Sequence, residues 1–298
     1  MGDIRDVKTW QELNIQTGST MGKCTLVFAV WSILTLSQTV NTNPLQGSGI
    51  LPYLFNVGGV PLPLDMAPDS VDDSYKGCTM KMLKYVLKKL LRQELSQDAH
   101  FSQTWKAAKQ AWMTNKQPLH AHMREEHAVA LFTYTLGGAN PFYAKFNQAT
   151  ITGGKGYGKG KFQYKSLHFL LANALRLIKD SDGSGCLTVY RRSLRKFKKA
   201  HVGAKVRFGS FASSSQRMDL TNFGSETCFV VKTCLGAKIR KYSAFVGEEE
   251  VLIPPYEKFK ITQKNHLMHP AGLQCNLIYT LQSRGMHSRH TCTSLKHH

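Results

Sequence analysis

The stretch Tyr242-Ser-Ala-Phe-Val-Gly-Glu-Glu-Glu-Val-Leu-Ile-Pro-Pro255 places three consecutive carboxylates directly before an apolar segment. This concentration of negative charge is unusual in a chain with 39 Lys and Arg residues and 19 Asp and Glu residues. Because side chains alternate between the faces of a strand, a strand starting at Glu250 would direct Glu248 and Glu250 to one face and Glu249 to the other. Two carboxylates in one cleft suit acid–base catalysis or the stabilisation of a developing cation. On composition alone, the alternative is a solvated acidic loop.

The composition describes a globular protein that should attract anions. The 298-residue chain is 42% hydrophobic, which suffices for one large domain or two small ones. Its formal net charge of +20 predicts attraction to nucleotides, nucleic acids, acidic glycans or anionic membranes. Charge alone does not choose among these partners.

The N-terminal region contains one apolar run, Cys24–Leu36. It has the length of the apolar part of a secretory signal peptide and is too short for a comfortable membrane span. A buried strand or helix is the alternative, and translation could begin at Met21. The C-terminus lacks the hydrophobic tail of a lipid-anchor signal, so we expect a secreted protein with no transmembrane segment in the mature chain. The predicted segments are a leader or upstream extension at 1–20, a signal peptide at 21–42 and an extended segment at 43–60.

Secretion affects the interpretation of the cysteines. Oxidising compartments favour disulfides over metal sites, and no spacing matches the CxxC of a zinc site. Disulfides are therefore predicted, and no metal is expected. The six cysteines that follow the predicted signal peptide are Cys78, Cys186, Cys228, Cys234, Cys275 and Cys292.

Residues 61–298 are predicted to form a single α+β domain, with a helical N-terminal half packed on a strand-rich C-terminal half. Apolar residues recur at helical spacing in the first half, and short β-rich runs follow the turn Asp180–Gly185. The predicted helices are Met80–Leu95, Phe101–Trp112, about His120–Tyr134 and Ser166–Asp180. The β-rich runs are Leu187–Arg191, Lys205–Ala212, Cys228–Thr233, Lys238–Ser243, Glu250–Ile253, Phe259–Thr262 and Cys275–Leu281.

Two motifs that resemble ligand sites are better explained as surface features. Gly153–Gly160 resembles a phosphate-binding loop, but Gly160 stands where the pattern requires Ser or Thr, so a flexible basic surface loop is predicted. His120, His122 and His127 lie near two glutamates, yet the HExxH pattern of a zinc site is absent.

Arginine, serine and glutamate follow one another on successive predicted strands. The first β-rich run carries Arg191, the second leads to Ser213, and the opening stretch carries Glu248 and Glu250. This order resembles the R-S-ExE signature of arginine-specific ADP-ribosyltransferases. The chain is similar to the secreted or surface-anchored ecto-ADP-ribosyltransferases of vertebrates.

The resemblance extends well beyond these residues, from about residue 60 to Cys292. The order and density of the matching motifs make a chance resemblance very improbable. They are Asp72–Cys78, Tyr134–Asn147, Tyr164–Leu171, Phe223-Gly224, Thr233–Ile239 and Glu250–Pro255.

The resemblance implies an ADP-ribosyltransferase fold with two facing, mainly antiparallel sheets around an NAD cleft. It also implies mono-ADP-ribosylation, in which ADP-ribose passes from the co-substrate NAD to arginine side chains of extracellular or cell-surface proteins and nicotinamide is released. No nucleic-acid partner is expected, and the protein is expected to be a monomer.

Four residues take catalytic roles by similarity to the family. Glu250 should stabilise the oxocarbenium-like transition state and hold a ribose hydroxyl. Glu248 should orient the acceptor guanidinium, whose planar donors suit a carboxylate. Arg191 should bind a phosphate of NAD, and Ser213 should lie near the nicotinamide ribose and hold Glu250.

The resemblance also assigns three aromatic residues. Tyr190 and Phe223 join Arg191, Ser213 and Glu250 as cofactor-binding residues, and Phe223 is similar to the aromatic that stacks on nicotinamide. Phe245, in the loop before the glutamates, is expected to contact the acceptor together with Glu248.

The disulfides that the resemblance implies are Cys78–Cys292 and Cys186–Cys234. Cys228 and Cys275 are left as free thiols or an additional pair. One departure from the family pattern is Arg192, which stands where a glycine is usual. This second cation could crowd the cofactor or add a phosphate contact.

Two other functions remain possible at the level of sequence. The same site could hydrolyse NAD, with water as the acceptor. The alternative from another class is a secreted cationic protein that binds glycans or microbial surfaces and whose site is catalytically inert. The presence of every R-S-ExE residue argues against inertness.

Overall fold

The computed structural model describes residues 60–183 and 185–295. The predicted leader, signal peptide and extended segment lie outside the described residues, apart from Val60, and stay predictions. In the described ranges, no helix is both long enough and apolar enough to span a membrane.

The first half of the described chain is helical, as predicted. The third predicted helix begins at Glu125 rather than near His120, because Arg124 and His127 form a capping box there. The helices are α1 Thr79–Tyr85, a π-helical turn Val86–Leu90, α2 Leu91–Gln97, α3 Ala99–Thr114, α4 Glu125–Thr135, α5 Phe142–Thr152, α6 Gly154–Tyr157 and α7 Lys165–Asp182.

The glycine-rich run is partly a packed element rather than a surface loop throughout. Gly154 is buried, and a Cβ atom on it would lie 2.7 Å from the carbonyl oxygen of Asp69. Its N–H donates to that same carbonyl at 2.7 Å. The prediction of a surface loop is therefore wrong for the start of the run, which forms α6, and agrees with the exposure of Gly158–Gly160.

The second half forms eight strands with short 3-10 turns between some of them. Hydrogen bonding connects the strands into one sheet in the order β2-β7-β8-β4-β1-β3-β6-β5, in which only β4 and β8 are parallel neighbours. The strands are β1 Leu187–Ser193, β2 Lys205–Val206, β3 Ala212–Ser215, β4 Thr227–Thr233, β5 Ala237–Lys238, β6 Glu250–Ile253, β7 Glu257–Met268 and β8 Gln274–Met286.

The α+β architecture with mainly antiparallel strands is confirmed, and hydrogen bonding in the described residues joins the two expected facing sheets into one continuous eight-stranded order. A single registered pair, Tyr190 opposite Ser215, joins β1 to β3. The sheet therefore narrows there, yet its hydrogen bonding is continuous. This narrow connection places the middle of β1, the end of β3 and the start of β6 side by side, where the sequence predicts the site.

Three disulfides tie the domain together. Cys78–Cys292 and Cys186–Cys234, the pairs implied by the resemblance, are both present. Cys228 and Cys275 form the third disulfide, which settles the alternative left open by the sequence. In the chain-entropy account, closing a loop as long as that between Cys78 and Cys292 stabilises the fold by about 5 kcal/mol.

The C-terminal segment is also held by a buried carboxylate, Asp72. One oxygen pairs with Arg207 at 2.6 Å, and both side chains are fully buried. The other oxygen contacts His290 Nδ1 at 2.8 Å and accepts from the N–H of Arg289 at 2.9 Å. Burial raises the pKa of Asp72, but the bonds from His290 and Arg207 outweigh it and bring the pKa well below its usual range.

Replacing Asp72 with Asn should destabilise the protein by about 3–5 kcal/mol, because the buried Arg207 guanidinium loses its counter-charge. The measurement is urea-induced unfolding with the disulfides intact. Asp69→Asn is the matched control, since Asp69 is half-exposed and, among the described residues, forms an ion pair only with the exposed Lys155. Its effect should stay within about 0.5 kcal/mol. Equal effects of the two substitutions would show that the buried pair contributes no specific stability.

Candidate active site

Glu248 and Glu250 are both buried, whereas Glu249 between them is partly exposed. The strand β6 begins at Glu250, but Glu248 ends a 3-10 turn, Val246–Glu248, and Glu249 has a left-handed φ of 46°. The predicted separation of Glu249 from the other two is therefore present. A turn and a left-handed residue produce it, rather than the alternation of a continuous strand.

Two serines flank the Glu250 carboxylate. Ser243 Oγ donates to Oε2 at 2.9 Å, while Oε1 receives no well-aligned hydrogen bond from a described residue. Burial raises the pKa of Glu250, and Ser213, Ser243 and Arg191 offset part of this rise. The carboxylate is thus held on one side and left with one oxygen able to accept a bond.

Glu250 belongs to a row of residues that crosses three strands. Tyr190 on β1 lies opposite Ser215 on β3, and Ser215 lies opposite Glu250 on β6. Tyr190 is partly exposed and packs against the buried cluster that contains Cys228, Val230 and Cys275. It therefore lies on the side of β1 that carries Arg192, which contacts Cys275 Sγ, rather than with Arg191.

Arg191 joins Ser213 and Glu250 at this point. Its guanidinium donates to the carbonyl oxygen of Ser213 and lies 5.9 Å from the centre of the Phe208 ring. Burial lowers the pKa of Arg191, while Tyr134, Tyr143 and Glu250 raise it. A cation, a hydroxyl and a buried carboxylate are therefore brought together as predicted.

The side chain of Arg192 points away from that of Arg191. Successive side chains of a strand point to opposite faces, and the Arg192 guanidinium donates to the carbonyl oxygens of Met218 and Gln274, each at 3.1 Å. Arg192 therefore braces β1 against β8 and the Met218 segment.

The segment after β3 holds the loop that carries Glu248. Ser215 Oγ donates to the carbonyl of Glu248 at 2.5 Å, and the N–H of Gln216 donates to that of Glu249 at 3.2 Å. Arg217 Nη1 donates to the carbonyl of Gly247 at 2.9 Å. No sequence signal indicated a role for Arg217, because its contact joins two loops distant along the chain.

Arg217 is itself fixed by Asp219. The two side chains make a bidentate pair with N–O distances of 3.0 and 2.7 Å. This pair keeps the guanidinium aimed at the Gly247 carbonyl, so Arg217 attaches the loop through its main chain.

The helical half contributes two tyrosines to which sequence reasoning gave no role. Tyr134, in α4, donates to the carbonyl of Phe211 at 2.8 Å and accepts from Asn147 at 3.0 Å. Burial raises the pKa of Tyr134 to about 12; Arg191 acts to lower it and Glu250 to raise it. Tyr143, in α5, has a pKa raised mainly by burial and also by the two site glutamates.

The helical half also fixes the loop before the glutamates. The Thr135 hydroxyl accepts from the N–H of Ala244 at 3.0 Å, and the Ser243 hydroxyl accepts from the N–H of Phe245 at 3.1 Å. Phe245 is partly exposed and directly precedes the 3-10 turn. This position is compatible with its expected contact with an acceptor.

Phe223 lies in a second 3-10 turn, Thr221–Phe223, and is only 2% exposed. Gly224 follows with a φ of 100°, and a Cβ atom there would lie 2.6 Å from Leu194. Stacking of Phe223 on nicotinamide stays a prediction.

The site can bind an anion and stabilise a cation. Arg191 supplies a fixed positive charge, and the buried Glu250 supplies a negative charge in a region where electrostatic interactions are strong. No cluster of three His, Cys, Asp or Glu residues suited to a metal ion occurs between residues 60 and 295, leaving aside the undescribed residue 184.

Comparisons with known proteins point to one family. A family model described as NAD:arginine ADP-ribosyltransferase matches residues 64–278. The erythroblast NAD(P)(+)–arginine ADP-ribosyltransferase of Gallus gallus is 35% identical over 238 residues, which cover 78% of this chain and 76% of that protein. The GPI-linked NAD(P)(+)–arginine ADP-ribosyltransferase 1 of Mus musculus is 37% identical over 249 residues, covering 78% and 74%.

Solved structures agree with the sequence comparisons. The crystal structure of the eukaryotic mono-ADP-ribosyltransferase ART2.2 has a TM-score of 0.65 and 30% identity, and the match covers 78% of this chain and 99% of that one. A point mutant of the same enzyme in complex with NADH gives a TM-score of 0.66 with the same identity and coverage.

Proposed function

The chain belongs to the NAD:arginine ADP-ribosyltransferase family, and from this premise we propose that it transfers ADP-ribose from NAD to arginine side chains of proteins. NAD is the co-substrate and nicotinamide the leaving group. The observation that carries the proposal is the buried Glu250 beside Ser213 and Arg191, with one carboxylate oxygen left to accept a bond.

The reaction breaks the bond between ribose C1′ and the nicotinamide nitrogen, and the electron pair leaves with nicotinamide. Positive charge develops on the ribose, and the Glu250 carboxylate stabilises it more strongly in the transition state than in the ground state. Glu250 Oε1 accepts a hydrogen bond from a ribose hydroxyl, while Ser243 holds Oε2 at 2.9 Å.

A guanidinium nitrogen of the acceptor then forms the new bond to C1′. Glu248 orients that guanidinium through paired hydrogen bonds and accepts the proton that the nitrogen loses. Phe245 contacts the acceptor from the same loop. Two observations support this role of Glu248. Its side chain is buried, and its charge, like that of Glu250, raises the pKa of Tyr143.

The remaining site residues bind the dinucleotide. Arg191 binds a phosphate of NAD, because its planar donors fit an oxyanion. Ser213 positions Glu250 at the nicotinamide ribose, Tyr190 contacts the cofactor from β1, and Phe223 stacks on nicotinamide.

The acceptors we propose are arginine-containing extracellular or cell-surface proteins, modified by a secreted, monomeric enzyme. Relatives are named ecto-ADP-ribosyltransferase 5 and GPI-linked ADP-ribosyltransferase 1, and three disulfides favour an oxidising compartment. Residues 61–298 form the catalytic domain in this account, after a leader at 1–20, a signal peptide at 21–42 and an extended segment at 43–60.

Poly-arginine and poly-lysine provide a matched pair of acceptors for testing the proposal. Both are cationic polymers, but only poly-arginine offers a guanidinium. Incubation of the purified chain with radiolabelled NAD should label poly-arginine and leave poly-lysine unlabelled. Equal labelling of both polymers would contradict arginine specificity.

Arg217 offers a test of how the acceptor loop is held. Arg217→Ala removes the bond to the Gly247 carbonyl, so kcat/KM for arginine transfer should fall about tenfold, as expected when a reacting group is misplaced. NAD hydrolysis should change less, because Glu250 is held separately by Ser243. Arg217→Lys retains the charge without the bidentate pair to Asp219, so its kcat/KM for arginine transfer should lie between those of the wild type and Arg217→Ala. Full transfer activity of Arg217→Ala would exclude a positioning role.

A further inference from the structure

A row of lysines crosses the sheet away from the proposed active site. Lys205 on β2 lies opposite Lys260 on β7, Lys260 lies opposite Gln282 on β8, and Gln282 lies beside Lys232 on β4. Residues in register on neighbouring strands share a face. The three lysines are therefore on one face, and each is exposed.

Arg284 adds a fourth cation to this face. Its Nη2 donates to the Gln282 side-chain oxygen at 3.4 Å, which places the guanidinium beside the row, and the residue is exposed. We call Lys205, Lys232, Lys260 and Arg284 the cationic sheet face.

These four charges have no acidic partner among the described residues. None of the ion pairs within residues 60–183 and 185–295 includes a member of the cationic sheet face. Like charges directly opposite on neighbouring strands destabilise a sheet, and Lys205 and Lys260 form such a pair. An external polyanion would remove this repulsion.

The dimensions of the row suit a linear polymer with repeated charges. Lys232 and Lys205 are separated by three strand intervals, or about 14 Å at ~4.8 Å per interval. Since the strands fix the backbone positions, the charges form a preorganised array rather than a set of mobile side chains on a loop.

We propose that the cationic sheet face binds a sulfated polysaccharide. The registered row contains no aromatic side chain on which bases could stack, unlike the usual surfaces for single-stranded nucleic acid, and no apolar side chain that could enter a bilayer. Three disulfides favour an oxidising compartment, and sulfated glycans are the abundant polyanions outside cells.

This face is separate from the proposed catalytic residues. In the sheet order, β1 and β3 lie between β4, which carries Lys232, and β6, which carries Glu250. Three strand intervals correspond to about 14 Å along the sheet. Glycan binding would therefore hold the enzyme on a surface while the catalytic cleft stays open.

The test compares two triple variants of equal charge. Lys205→Gln/Lys232→Gln/Lys260→Gln removes three charges from the cationic sheet face. The control, Lys81→Gln/Lys84→Gln/Lys88→Gln, removes three exposed charges from α1 and the adjoining π-helical turn. Both variants should consume NAD like the wild type, which shows that each is folded.

Heparin is the probe, and binding is measured as a function of NaCl concentration around 0.15 M. In the sheet variant, the negative slope of log Kobs against log[NaCl] should become shallower by about 2 to 3, since polyanion binding scales with the number of neutralised charges. The affinity for heparin should fall at least about tenfold. The control variant should retain the wild-type slope to within about one.

Equal losses in the two variants would overturn the proposal, because net charge alone would then explain binding. Tighter binding of the wild type to oligodeoxythymidylate or to phosphatidylserine vesicles than to heparin would also overturn it, in favour of a nucleic-acid or membrane partner.

Discussion

Glu250→Gln should reduce both nicotinamide release from NAD and transfer to arginine by at least about 10²–10³-fold, the usual effect of losing a preorganised electrostatic contact to a transition state. The substitution keeps the shape of the side chain and removes its charge. Glu250 is fully buried, so that charge acts where water screens it least. Both reactions pass through the same ribose cation, and both should therefore fall together.

The pH dependence of the wild-type enzyme should report the same carboxylate. Burial raises the pKa of Glu250, and bonds from Ser213 and Ser243 offset this only in part. Activity requires the charged form, so kcat/KM should fall as the pH drops through a value above the ordinary glutamate range. The residual activity of Glu250→Gln should lack this dependence on pH.

Glu249→Gln is the control for the neighbouring position. Glu249 is partly exposed and has a left-handed backbone, and its carbonyl rather than its carboxylate contacts Gln216. Its kcat/KM should stay within about twofold of the wild type, as is usual for surface substitutions. A Glu250→Gln enzyme with more than a tenth of wild-type activity would exclude Glu250 as the residue that stabilises the cation.

Glu248→Gln should separate the two reactions of the site. Transfer to arginine should fall by roughly 10²-fold, because an amide cannot accept both hydrogen bonds of the guanidinium or its proton. Release of nicotinamide to water should change only a few-fold, since the ribose step uses Glu250. The measurement is the ratio of ADP-ribosyl-arginine product to free ADP-ribose at a fixed NAD concentration.

The outcome that conflicts with this assignment is a parallel loss. If Glu248→Gln lowered hydrolysis and transfer equally, Glu248 would act on the ribose, and the acceptor would be oriented by other groups. Glu248→Asp is the matched variant. It keeps the charge on a shorter side chain and should retain more transfer than Glu248→Gln.

The catalytic core was predictable from sequence because its residues lie in short, recognisable strands. Arg191, Ser213 and Glu250 are each placed by a local β pattern, and the structure brings them together. The separation of Glu248 and Glu250 from Glu249 was also predicted, although strand alternation is only part of the reason for it. A turn before β6 is not visible in the periodicity of the sequence.

The contacts that support the site were not predictable, because they join segments far apart in the chain. Arg217 reaches a carbonyl 30 residues away, and Asp72 pairs with Arg207 across 135 residues. The side chains involved look like ordinary surface charges in the sequence. Their burial and partners are set only by tertiary packing.

Local turn signals also concealed structure. The run Gly137-Gly-Ala-Asn-Pro141 precedes α5, and glycine and proline there masked the helix that carries Tyr143. The glycines at 153 and 154 indicated a loop, whereas Gly154 is glycine because the backbone of Asp69 leaves no room for a side chain.

Incubation of the wild-type chain with NAD and agmatine, followed by mass spectrometry of the products, tests the central claim most directly. Agmatine presents the guanidinium of arginine without a protein, so the result depends on the site alone. We predict ADP-ribosyl-agmatine as the main product, together with free nicotinamide. Formation of ADP-ribose and nicotinamide without any agmatine adduct would contradict arginine transfer and identify the protein as an NAD glycohydrolase.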